Sequence, residues 1–335
     1  MTTRVHTRLV SAAVLAVLVA GCGSDQSALN PRSHASRDIA TLWWWMLAIA
    51  ATVLGGAVFL LLLAWIRRHR PGLPILGGRD KISFWLVVFF GIVIPISVNV
   101  TVFAIANFVV AKATEPPAEA STQLTIRVVG HQWFWEVAYP GTPAVTANEF
   151  HIPVGERVTV IARTADVIHS FWVPQLNRKI DTIPGHPNRL LLRAERPGRY
   201  RGQCAEFCGV QHAHMSMYVY ADPPDRFRAW LQQEAASARQ PTTPQQRRGE
   251  QVFLSNACAS CHTIRGTSAR GIIGPDLTHL ASRSTLAALT IKNTPGELDA
   301  WIRDPQHIKP GNLMPKVTLS NRERGDLVAY LESLR

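Results

Sequence analysis

Between Cys204 and Met215 the chain reads C-A-E-F-C-G-V-Q-H-A-H-M, which gathers two thiols, two imidazoles and a thioether into one turn-sized segment. His169 stands upstream in H-S-F-W-V-P. Soft thiolate, imidazole and thioether donors together select copper over the hard cations. Cys and His alone suit zinc equally well, so the weak axial-type donor Met215 tips the choice. The spacing of Cys204 and Cys208 lets one loop present both sulfurs to the same point, where two thiolates can bridge two metal ions. His212 and Met215 follow at intervals that bring them round the same centre, with Met217 as the rival thioether. A buried disulfide or a zinc loop is the competing reading.

A second metal-bearing signature, C-A-S-C-H, spans Cys258 to His262. This order suits covalent haem attachment: both thiols add to the haem vinyl groups, and the adjacent histidine becomes the proximal iron ligand. A thioredoxin-like pair or half a zinc site would use the same cysteines, but no second Cys pair follows. Electron-transfer cytochromes usually place a thioether opposite the imidazole. Met314, in I-K-P-G-N-L-M-P, is the only methionine after Met217; His279 and His307 are its competitors.

The copper motifs resemble the binuclear copper (CuA) domain of the cytochrome c oxidase subunit 2 family. C-x-E-x-C-G-x-x-H-x-x-M, H-S-F-W-V-P and D-T-I-P-G all match in order and spacing, and the likeness covers roughly residues 38 to 235. The resemblance implies that Cys204 and Cys208 bridge two coppers and that His169 and His212 cap one each. It further implies Met215 as a weak ligand and Glu206 as a donor through its backbone carbonyl. In G-H-Q-W-F-W-E-V it places Trp133 at the electron entry point, whereas Trp135 reads better as part of a core aromatic cluster. Glu206 and Asp181 would additionally touch a magnesium site shared with the main subunit.

Residues 245 to 335 resemble a class I cytochrome c domain, in which G-P-D-L-T would set the Pro275 carbonyl against the proximal imidazole. Together the resemblances imply a caa3-type oxidase subunit. Electrons would pass from a donor, such as a cytochrome c or an upstream respiratory complex, to haem c, then CuA, then oxidase subunit 1. Oxygen reduction and proton translocation would belong to that partner and the other oxidase subunits. The alternatives are the small subunit of a CuA-containing nitric-oxide reductase and a non-enzymatic exported copper-binding lipoprotein. In one place the chain departs from the family. The glutamate that often stands three residues before the tryptophan opening the second span is Ile82 here, before Trp85, and Asp80 is the nearest acid. A role in proton uptake is therefore not carried over.

The remaining sequence must position these sites. Arg4 and Arg8, an apolar stretch from Leu9 to Ala20 and then V-A-G-C make residues 1–21 a secretory signal. Gly21-Cys22 resembles a lipobox, which would leave Cys22 lipid-modified; ordinary cleavage with a free Cys22 is the alternative. Ile39 to Ile66 and Ile82 to Ala111 are each long enough to cross a hydrocarbon core, giving a two-helix transmembrane domain over 38–111. Arg67, Arg68, Arg70, Arg79 and Lys81 lie between the spans against one acid. That places the loop in the cytoplasm and both soluble modules outside a bacterial cell membrane. Pro95 is expected to kink the second span, and Asn99 to need a partner that a neighbouring subunit could supply.

The net charge of +12 raises the question of nucleic acid. Residues 1–114 carry 10 basic and 3 acidic side chains, whereas residues 115–238 carry 12 of each. The excess is thus mostly topology and export signal, with no basic stripe interleaved with stacking aromatics, and nucleic acid is set aside.

Short alternating runs, L-T-I-R-V-V and R-V-T-V-I-A, with turns at P-V-G-E and R-P-G-R, make 120–235 a cupredoxin-like all-β sandwich whose copper loop joins two strands. Residues 236–246 read as a linker that tethers an all-α cytochrome c domain, 247–335. Its last helix starts at a capping box, Ser320 to Glu323, and turns Leu327, Tyr330, Leu331 and Leu334 toward the haem.

Overall fold

The computed structural model describes residues 26–68, 80–112 and 124–335. The signal segment, Cys22, Arg70 and Arg79 lie outside the described residues. The chain divides into two compact units, one of His34–Glu115 and the other of Met1–Ser33 with Pro116–Arg335.

The first unit is helical. One helix runs His34–Arg67, and a second path runs through Asp80–Val88 and Ile94–Ile105, interrupted by π-helical turns at Phe89–Val93 and Ala106–Ala111. Both paths are long and apolar enough to cross a membrane, and they expose apolar residues all round, as at Leu61 and Val87. A core hairpin of a soluble domain would bury one face instead. The chain is therefore membrane-anchored. The first π turn ends just before Pro95, which has no N–H to offer its helix. A widened turn at that point is a recognised way for a helix to absorb the missing bond. One hydrogen of the Asn99 amide is taken up within the helix, where Nδ2 donates to the Pro95 carbonyl one turn back at 2.8 Å.

In the second unit two five-stranded sheets form a sandwich. The first has the order β3(Val145–Ala147), β2(Phe134–Ala138), β1(Leu124–His131), β5(Val158–Thr164), β8(Asn188–Leu192). The second has the order β4(Glu149–Pro153), β10(Ser216–Asp222), β9(Gly198–Cys204), β6(His169–Trp172), β7(Ile180–Thr182). The β1–β5 and β4–β10 pairs are parallel, so the chain must cross between sheets rather than meander. Alternate residues of β1 and β5 face inward. Trp135, Phe150 and Phe171 are fully buried between the sheets, each contributing about 1.5–3 kcal/mol by leaving water. Residues 26–33 are sewn to this sandwich: Arg32 exchanges backbone hydrogen bonds with Gln175 and Glu195, and the Ser33 hydroxyl donates to the Leu176 carbonyl.

After the helix Pro224–Ala235 the chain enters a helical module whose main contact is between the helices Pro244–Ser255 and Asn321–Leu331. Gly249 makes the crossing possible, since a Cβ there would lie 2.0 Å from the Asp326 carbonyl oxygen. Both helices start at capping boxes, at Thr243 with Gln246 and at Ser320 with Glu323. Leu327 and Leu331 turn toward the cleft described below, whereas Tyr330 packs edge-on against Phe253.

The connection between the modules is not slack. The first helix of the helical module already begins at Pro244, and Ala238 is buried in that module's core. Ala238 N–H donates to the Arg265 carbonyl, and the Arg265 guanidinium donates to the carbonyls of Glu234 and Ala236. A stretch rich in Ala, Pro and Thr reads as flexible, but here the Ala236 carbonyl and the Ala238 N–H are taken up by an arginine distant in sequence.

Candidate metal centres

The copper-type donors gather at one end of the second sheet, because β6 and β9, and β9 and β10, run antiparallel. His169 opens β6, Cys204 closes β9, and the remaining donors sit in the loop that leads into β10. Pairing of Phe171 with Cys204 in adjacent strands fixes His169 beside the first thiol. Cys204 Sγ lies 3.8 Å from Cys208 Sγ, and both thiols are free and buried. His169 Nδ1 is 3.9 Å from Cys204 Sγ, and His212 Nδ1 is 3.6 Å from Cys208 Sγ. Met215 Sδ lies 3.8 Å from Cys208 Sγ, and the Glu206 carbonyl lies 3.2 Å from Cys204 Sγ. Met217 is buried with its side chain against Gly202, so Met215 is the thioether brought to the thiols.

The second-rank contacts decide which ring nitrogen faces the centre. His169 Nε2 donates to Asp166 Oδ1 at 2.7 Å, which leaves the Nδ1 lone pair toward Cys204. The Gln132 and Val167 amides hold the same carboxylate at 2.6 and 2.7 Å. Burial pushes the Asp166 carboxyl up, but His169 and these amides outweigh it and keep the group below the usual range. Gly130 leaves room for the ring, since a Cβ there would meet His169 Cδ2 at 2.7 Å. Contact with Cys208 holds the Cys204 thiol far below its ordinary value despite burial, with help from His169; the same contact pushes Cys208 up. One proton thus leaves the pair readily, and a bound cation would have to displace the other. Asp166 was not among the residues singled out from sequence; D-V-I-H, with an acid three residues before the histidine, was the available signal. Glu206 and Asp181 share Lys179, at 3.5 and 3.4 Å.

The haem-type residues surround a cleft of about 1550 Å³ with its open mouth included, lined among others by Cys258, Cys261, His262 and Met314. The C-A-S-C-H cysteines are free and half-buried. His262 Nδ1 donates to the Pro275 carbonyl at 2.8 Å, so its proton is placed and Nε2 keeps a lone pair for a metal. Burial pulls the imidazole below its ordinary value, which favours the neutral, ligating form. Neither His279 nor His307 lines the cleft: His279 bonds the Ala236 carbonyl, and His307 is exposed. The donor set and the cleft both fit their expected groups.

Copper-domain residues also line the haem cleft, among them Trp133 and Phe134. Trp133 is 9 % exposed, and its indole N–H donates to the Cys208 carbonyl at 2.9 Å. Trp135 is a core residue, packed edge-on against His169 and Phe171. Lys309, unremarked in the sequence, is buried and donates to the carbonyls of Trp133, His214 and Ala287. Burial pulls its amine down to about 7. The three carbonyls match the three N–H bonds of an ammonium, and so act in the opposite direction.

Comparison with known proteins agrees with this geometry. Residues 144–221 match the family of the cytochrome c oxidase subunit II periplasmic domain, and residues 246–335 match the cytochrome c family. Cytochrome c oxidase subunit 2 of Alkalihalophilus pseudofirmus is 35 % identical over 285 residues, which is 83 % of this chain and 81 % of that one. The Bacillus subtilis subunit 2 is 28 % identical over 98 % of both chains. The crystal structure of the periplasmic domain of subunit II from Bradyrhizobium japonicum is 32 % identical, covering 34 % of this chain and 97 % of that one, with a TM-score of 0.33. The chain belongs to the cytochrome c oxidase subunit 2 family. Its cofactors are the binuclear copper centre CuA and a covalently attached haem c.

Proposed function

We propose that the chain is the electron-entry subunit of a caa3-type cytochrome c oxidase, relaying electrons from an external donor to oxidase subunit 1. The observation that carries this reading is Trp133, which lines the haem cleft and hydrogen-bonds the carbonyl of Cys208. When bound, the two groups would supply one-electron redox chemistry. The chain's own residues set the geometry of that exchange. Cys258 and Cys261 would fix the haem covalently, and His262, oriented by Pro275, and Met314 would hold its iron. Cys204 and Cys208, with His169, His212, Met215 and the Glu206 carbonyl, would hold the copper pair. The indole of Trp133 would bridge the two sites.

In this reading the copper and haem domains face outward. Residues 26–33 lie on the copper domain, so the segment before the first span and the domain after the second share a side of the membrane. Arg67, Arg68, Arg70, Arg79 and Lys81 favour the cytoplasm for the intervening loop. The Lys179 bridge argues against a magnesium role for Glu206 and Asp181 in the isolated subunit. Cys22 would carry the lipid of an exported lipoprotein.

Metal analysis and electron paramagnetic resonance of the purified complex test the assignment. Two coppers and one haem c per chain are expected, with a mixed-valence copper signal that Cys204→Ser abolishes while the haem c spectrum stays. One copper per chain in the parent, or an unchanged signal in the variant, would sink it. Oxygen uptake by the same preparation separates an oxidase from a nitric-oxide reductase.

A further inference from the structure

The contact between the haem and copper domains contains two buried charges of opposite sign, neither assigned to a metal site. Glu149, at the start of β4, is 6 % exposed, and its carboxylate accepts from the Ser284 and Thr285 amides at 3.0 and 2.7 Å and from both their hydroxyls. Tyr220 of the copper domain donates to the same group at 3.0 Å. Lys309, 3 % exposed, crosses the other way and donates to Trp133 O and His214 O, both at 2.8 Å. Its third bond, at 3.0 Å, reaches the Ala287 carbonyl within its own domain.

The segment that presents that carbonyl is unusual. Ala287, Ala288 and Leu289 all lie in the left-handed region, with φ of 52, 58 and 67°. Side chains with a Cβ rarely adopt this conformation, and such stretches persist where surrounding contacts over-determine them. Here the surroundings include Lys309 on one side and the Glu149-bound pair Ser284–Thr285 on the other. A buried carboxylate and a buried ammonium each tolerate one arrangement of partners. A slipped docking would leave one of them buried without acceptors or donors.

We propose that Glu149 and Lys309 are positioning residues that lock the haem domain onto the copper domain in one register, making the fused cytochrome a fixed relay rather than a mobile one. The idea rests on the electron route proposed above, but its structural half can be tested without electron flow. Two variants keep side-chain volume and remove the charge, Glu149→Gln and Lys309→Met, in the full metal-loaded chain in detergent.

Hydrogen exchange followed by mass spectrometry is expected to speed up at least tenfold at residues 282–292, 305–313 and 131–135 in each variant. Protection of 158–162 and 327–331 in the two domain cores should stay at the parent level. The haem-to-copper transfer rate, measured by flash photolysis, should be independent of salt and viscosity in the parent, and become slower and dependent on both in the variants. Unchanged exchange at the contact in both variants overturns the lock. Protection lost throughout either domain also overturns it, because the charges would then serve folding. Loosened contacts with an unaltered transfer rate overturn the positioning role. Absence of haem-to-copper transfer in the parent refutes the route instead, and leaves the exchange data to decide the lock.

Discussion

Asp166→Asn isolates what orients a copper ligand. In the parent, Oδ1 accepts from His169 Nε2 and the Val167 amide at 2.7 Å each, while Oδ2 accepts from Gln132 N at 2.6 Å. An amide has one oxygen. If that oxygen stays at the doubly used position, the new NH2 confronts the Gln132 N–H and the negative charge behind the imidazole is gone. If it flips, NH2 faces His169 Nε2, which must then accept, and the ring proton moves to Nδ1, the atom facing Cys204 Sγ. Either outcome weakens the ligand. Loss of such outer partners typically lowers metal affinity 10–100-fold, which is about 1.4–2.7 kcal/mol. Competition titration of copper against a chelator, using the full chain with haem attached, reads that shift directly. Asp166→Ala should be at least as weak as the amide. An Asn variant within twofold of the parent would refute the reasoning and leave His169 held by the sheet alone.

Met314→Ala is expected to lower the haem c potential, because a thioether favours reduced iron, with a stability loss under ~2 kcal/mol for a half-buried side chain. Redox titration checks it, and an unchanged potential would return His279 and His307 to candidacy. Burial raises the Glu234 carboxyl to about 7 from 4.5, against the pull of Arg283 and Arg265. Between those values the folded chain holds a proton that the unfolded chain lacks. Stability therefore falls as pH rises through the window, by at most ~3 kcal/mol. Thermal unfolding of Glu234→Gln should show a flatter pH profile and higher stability at pH 8; parallel profiles for the two proteins would contradict this. Gly249→Ala sets a methyl against an unyielding carbonyl and should cost at least the ~1–3 kcal/mol of an overpacked core, read as a lower unfolding temperature and less covalent haem per chain. Normal haem content and melting would mean that the helices part freely.

The sites were legible where the chemistry is contiguous. The C-A-E-F-C loop and C-A-S-C-H carry their donors within a few residues, so composition and spacing were enough to name them. The two apolar spans were likewise visible as long uncharged stretches, and the strand runs of the sandwich as local alternation. Residues whose roles depend on register between distant segments were not visible. Lys309 is an ordinary surface-type lysine until folding brings the Trp133 carbonyl to it, 176 positions away. Glu149 meets Ser284 across 135 positions. The start of the 236–246 stretch looked flexible because nothing local reveals that Arg265 reaches Ala236 and Ala238.

The burial of Trp133 carries one more consequence. With 9 % of its surface exposed, and Phe134 beside it facing the haem cleft, the copper domain offers no open landing site at that residue. A soluble cytochrome cannot occupy a position that the chain's own domain already fills. In the electron route proposed above, the fused module would therefore exclude competitors as well as serve as a carrier. Ile273 and Leu313, which line the same cleft, stand 61 % and 71 % exposed and remain open to a partner.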